Sequence, residues 1–117
     1  MSENMPRYIL RYFFDCSTGA CLWAGNAATA DVFDYPVDLH MLNLPESLFN
    51  FGDRVIDRWT VLYNQNRTSK SNPEFLAFCE DARQFLAMLR EHLGAEFEVL
   101  DESGVTAIFP DSTGPAA

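Results

Sequence analysis

Arg7-Tyr-Ile-Leu-Arg-Tyr-Phe-Phe-Asp15 alternates with period two, placing Tyr8, Leu10, Tyr12 and Phe14 on one face and Arg7, Ile9, Arg11 and Phe13 on the other. Such alternation marks a strand, because successive side chains of extended backbone point to opposite sides. Ser17-Thr18-Gly19 supplies turn chemistry, and Ala20 to Ala24 is a second apolar run carrying Trp23, so the stretch reads as the first arm of a β-hairpin. Its aromatic face needs a covering layer, and the rest of the chain provides one.

From Pro45 to Tyr63, Leu48, Phe51, Val55, Trp59 and Leu62 recur at three- and four-residue steps, with Phe49, Ile56 and Tyr63 widening the stripe. This predicts a long amphipathic helix opened by a proline. Trp59 falls inside the stripe and is expected in the core. After a polar connection over 64–71, Asn72-Pro73-Glu74 gives a helix start with a capping side chain, a first-turn proline and an acid favoured by the dipole. Phe75, Cys79, Ala82, Leu86, Leu89 and Leu93 form the second stripe, Arg90 and His92 suit its last turn, and Gly94 closes it. Between hairpin and helices, Asn26 is expected to cap a short helix through Phe33 that Tyr35-Pro36 ends. Residues 36–43 read as a loop with Leu39, Met41 and Leu42 turned inward.

Strand patterning returns at Phe97 and Val99, which alternate with Glu96 and Glu98; Ser103-Gly104 makes a turn and Val105 to Phe109 a last strand, with a frayed tail over 111–117. The reading is a single α+β domain over 1–117, in which the N-terminal hairpin and the C-terminal strand pair form one antiparallel sheet packed against a helical hairpin. Arg7 and Arg11 are expected to face Glu96 and Glu98 across it.

Charge narrows the function. The 117 residues hold 17 acids against 8 bases, a net charge of −9. Two stretches, one between Arg11 and Arg54 and one after Arg90, each contain six acids and no base. Phosphate binding needs clustered Lys and Arg, so nucleic acid is excluded as a partner and a basic protein is favoured. No run approaches the roughly 18 apolar residues of a membrane span, and Met1 to Pro6 is too polar to open a secretory signal, which points to the cytoplasm. Cys16, Cys21 and Cys79 lack zinc-ligand or disulfide-scaffold spacing and read as reduced, with Cys16 and Cys21 able to meet across the hairpin.

No residue pattern matches a catalytic, cofactor or metal motif. His92 suits a helix terminus, and His40 stands in a loop near Asp38 without a nucleophile beside it. Gly25 is one glycine where a nucleotide loop needs several. Asp31, Asp34 and Asp38 lack the glycine turn and terminal glutamate of a calcium loop. Tyr35, beside a proline in an acidic loop, is the aromatic expected to be exposed, as interface anchors are.

The segments Arg11-Tyr-Phe-Phe-Asp15 and Cys21-Leu-Trp23, followed by Asn26, Phe33 and Tyr35-Pro-Val-Asp-Leu39, with the closing Phe97-Glu-Val99, resemble small acidic bacterial proteins. Some of these look like immunity proteins of contact-dependent or polymorphic toxin systems. The resemblance implies an inhibitor of a basic, nuclease-type toxin rather than an enzyme, with no catalytic residue, cofactor or metal. Its partner surface is expected at Asp31, Asp34, Tyr35, Asp38, Asp101 and Glu102. A small ligand-binding or enzymatic domain with a pocket between sheet and helices, and a regulatory adaptor, remain as alternatives; a buried polar cluster would favour the pocket.

Overall fold

The computed structural model describes residues 6–14 and 20–104. Strands β1 (Tyr8–Tyr12) and β2 (Leu22–Ala24) lead into α1 (Ala27–Phe33), α2 (Glu46–Asn64), α3 (Pro73–Leu93) and β3 (Phe97–Asp101), with short 3₁₀ turns at Leu39–Leu42 and Gly94–Glu96. The expected turn at Ser17-Thr18-Gly19, Cys16, the strand over Val105 to Phe109 and the tail over 111–117 lie outside the described residues.

The architecture is α+β, but the sheet is mixed rather than antiparallel. Its order is β2-β1-β3. β2 pairs antiparallel to β1, Leu10 opposite Ala24 and Tyr12 opposite Leu22. β3 runs parallel to β1, from Tyr8 opposite Phe97 to Tyr12 opposite Asp101. The reason is topological: a parallel pair needs a long crossover, and the three helices between β2 and β3 supply one. Alternation fixes which face each residue takes and is blind to strand direction, so the antiparallel expectation holds for β2 and is corrected for β3.

Leu10, Tyr12, Leu22 and Val99 share the inner face and are buried against the helices. Tyr12 Oη donates to Ala82 O at 2.8 Å, tying the C-terminal end of β1 to α3. Asn72 caps α3, its Oδ1 accepting from the Glu74 and Phe75 amides, and Pro73 occupies the first turn as expected. Gly94, at φ 75°, ends the helix. Phe78 and Phe85 are buried together with the expected Cys79, Ala82, Leu86 and Leu89. Phe85 reaches α2 at Gly52, where a β-carbon would stand 2.5 Å from its ring, so glycine is what lets the two helices close on each other. Three expectations change: Trp59 is half-buried at the edge of the core, against Phe14 and Phe78, Met41 faces outward, and Tyr63, expected to widen the α2 stripe, is exposed.

Asn26 caps α1 through Thr29 N at 3.0 Å and donates to Arg7 O at 3.2 Å. Buried Thr29 in turn accepts from Ile9 N, so α1 continues the edge of β1 where β2 stops. The segment after α1, expected as plain loop, runs alongside β2: Ala24 N donates to Tyr35 O at 2.9 Å and Val37 N to Leu22 O at 2.8 Å. Pro36 sits between these bonds, opposite Trp23, where its missing N–H costs nothing.

Candidate functional site

The six expected partner residues fall into separate groups. Asp31 and Asp34 are exposed on and just after α1, beside Phe33, which packs on Tyr8 and Phe97 at the entry end of β1 and β3. Asp38, Asp101 and Glu102 lie toward the opposite end, because Val37 bonds Leu22, Leu22 pairs with Tyr12, and Tyr12 pairs with Asp101. Three strand spacings separate Val37 from Asp101 there, roughly 14 Å. Tyr35 stands between the groups, 50% exposed, with its ring 5.4 Å from Trp23.

Three of the six are already engaged within the fold: Asp38 with His40, Glu102 with Arg11 and Asp101 with Ser103. Glu102 forms an ion pair with Arg11 at 2.8 Å, which raises the Arg11 pKa. Asp101 accepts from the Ser103 amide and hydroxyl at 3.0 and 2.6 Å. The expected partners of Arg11, Glu96 and Glu98, are therefore displaced by Glu102, since the parallel register sets Arg11 opposite Leu100. Arg11 also lies over the Phe13 ring at 5.3 Å, and Phe13 stacks on Trp23 at 4.9 Å and 7°. The face of the sheet opposite the core thus carries a continuous layer of Arg11, Phe13, Trp23 and Tyr35.

By contrast, the described acids between Arg11 and Arg54 (Asp31, Asp34, Asp38, Glu46 and Asp53) are all exposed. None has an Arg or Lys partner; among the described residues the Arg–carboxylate pairs are Arg11–Glu102, Arg67–Glu74 and Arg83–Glu80. Asp38 caps the 3₁₀ turn, its Oδ1 accepting from His40 N at 3.0 Å and contacting His40 Nδ1 at 3.0 Å. The His40 ring packs on Phe49 of α2, centroids 4.5 Å apart. These groups ring a cavity of about 280 Å³ whose walls are Cys21, Val37, Leu39 and Ile56 and whose exposed rim holds Asp38, His40 and Asp53. Sequence reasoning left Phe49 and Asp53 out of the site. Their four-residue spacing, with Ile56 three further on, puts them on one face of α2 and was legible; the return of 36–40 against that face was not.

A second cavity, of about 380 Å³, opens at the exit end of β1 and β3 between Trp59 of α2 and Phe75 and Phe78 of α3. Its polar members are Arg11 and Glu102, bound to each other, and Ser103, which donates to Asp101. Among the described residues no buried side-chain nitrogen or oxygen lacks a hydrogen-bond partner, and no three His, Cys, Asp or Glu converge as metal ligands. Thr29, the buried polar residue of the described core, lines neither cavity, so the buried polar cluster that would favour a small-molecule pocket is not found among the described residues.

Burial shapes the remaining titratable groups. It pushes the Cys21 thiol up to about 12 and that of Cys79 up to about 11, and it raises the Tyr12 phenol well above its ordinary value. Both thiols are free and protonated at neutral pH, the opposite of an activated nucleophile. Among the described residues no helix is long and apolar enough to cross a membrane. Compared with known proteins, the chain matches no family model, no curated protein and no solved structure.

Proposed function

We propose that this chain is an acidic protein-binding module rather than an enzyme, and specifically a cytoplasmic immunity protein that silences a basic, nuclease-type toxin by direct binding, without a cofactor or metal. The observation that carries this reading is the unneutralised acid of the segment between Arg11 and Arg54: its described carboxylates are exposed, free of Arg and Lys, and displayed on consecutive elements from α1 to the first half of α2. A nuclease must present cations to hold phosphates, and a carboxylate surface both imitates that substrate's charge and accelerates encounter. Tyr35 adds an exposed aromatic at the edge of this surface. Asp101 and Glu102, engaged by Ser103 and Arg11, contribute to the field more than to direct contact.

The test is co-expression with the product of the adjacent gene in a bacterial host. The expected result is a toxic product whose toxicity this chain relieves and with which it forms a stoichiometric complex on gel filtration. A harmless neighbour, or a toxic one that the chain neither binds nor relieves, overturns the reading.

A further inference from the structure

We infer that the cavity between residues 36–40 and α2 is a receptor for one arginine side chain of the basic partner, an inference that rests on the protein-binding reading above and deepens it. The cavity's 280 Å³ lies just under the roughly 300 to 1,000 Å³ of small-molecule pockets, the scale of a single large side chain. Its composition is that of a cation receptor with an apolar shaft. Val37, Leu39 and Ile56 suit the methylene stem of a long basic side chain, which packs on apolar surface while its head stays polar. Two carboxylates stand at the rim and no Lys or Arg lines the space.

The carboxylates are poised differently. Asp38 is held by His40 through Oδ1, and its Oδ2 has no hydrogen-bond partner among the described residues. The Asp53 carboxylate makes no ion pair or side-chain hydrogen bond among the described residues. Phe49 adds an aromatic ring to the same lining, already packed on His40. A planar guanidinium uses all three features: it stacks on an aromatic face, bonds carboxylates through a rigid fork, and is more weakly hydrated than an ammonium, so it enters an apolar-walled site at lower cost.

The experiment is an amide NMR titration of the full chain with Nα-acetyl-arginine amide, with the neutral isostere Nα-acetyl-citrulline amide and with Nα-acetyl-lysine amide. Expected are saturable shifts confined to residues 37–40, Phe49 and Asp53, absent with citrulline and weaker with lysine. Asp53→Asn, an exposed change on a helix surface, should weaken the arginine response about threefold, as a partly exposed ion pair allows, with an unchanged melting temperature. Shifts scattered over the surface, an equal response to citrulline or lysine, or an Asp53→Asn variant that binds as well as wild type would each overturn the assignment. Co-expression judges the other reading separately: a neutralised toxin with a silent pocket removes only the pocket, and a saturable pocket with no neutralisation removes only the immunity role.

Discussion

Asp34 is the residue under greatest backbone strain among the described residues. It follows α1 at φ 71° and ψ 176°, a backbone region that is essentially glycine's, since a β-carbon there crowds its own peptide groups. The cost, ~1 to 3 kcal/mol, exceeds what glycine would lose in chain entropy. Asp34→Gly should therefore raise stability by ~1 kcal/mol in urea denaturation, and a destabilised variant would show that the Asp34 side chain holds the turn. Cys21 and Cys79 give a second residue-level expectation. Their thiols ionise near 9 in the unfolded chain but only at about 12 and about 11 in the fold. The native state therefore keeps protons that the unfolded state releases. Their contribution to stability is intact below pH ~9 and is lost as pH rises toward those values, at about 1.4 kcal/mol per pH unit for each thiol. Tyr12 adds to the loss above pH ~10. Urea midpoints should fall steeply between pH 9 and 10, and the Cys21→Ala/Cys79→Ala variant, though less stable at pH 8, should flatten that fall.

Among the elements, α1 is the one that depends most on a single side chain. It has seven residues, too few to persist by propensity, and Asn26 both caps it and bonds back to Arg7. Asn26→Ala should cost ~1 to 2 kcal/mol by thermal melting, and a loss within ~0.3 kcal/mol would mean that Thr29 alone anchors the helix. Asn26 and Asn72 were legible in the sequence because capping is local chemistry, settled by the three residues that follow. The stripes of α2 and α3 were legible for the same reason. What escaped depends on partners distant in the chain. Phe78 and Phe85 flank the expected stripe and are buried because α2 and β1 meet α3 on that side. Tyr35–Val37 has no strand pattern of its own and is extended because β2 offers it bonding groups. In the candidate site, the acids and Tyr35 were legible from type and charge. Their division between two ends of the sheet and the capture of Glu102 by Arg11 followed from strand register, and the inclusion of Asp53 from the return of residues 36–40 against α2.

For the whole molecule, the net charge of −9 is lopsided, and the lopsidedness is the functional expectation. With a basic partner in hand, reversing Asp34 and Asp38 together to Lys should slow association about tenfold at low salt and flatten its salt dependence, while Tyr35→Ala should chiefly speed dissociation. Surface plasmon resonance at low and high ionic strength separates the two effects, and unchanged rates in all variants would move the interface to the helical side near Arg54, Arg58 and Arg83. The parallel seam between β1 and β3 carries a consequence for biosynthesis. Residue 8 of the central strand must find residue 97, so its second neighbour does not exist until the ribosome has made all three helices. The hairpin of β1 with β2 and the antiparallel α2–α3 pair are closures of shorter span and form first. Until β3 emerges, the central strand lacks its second partner and its longest run of unpaired backbone is open, which makes that interval the one in which the chain is most exposed to aggregation and most dependent on chaperones.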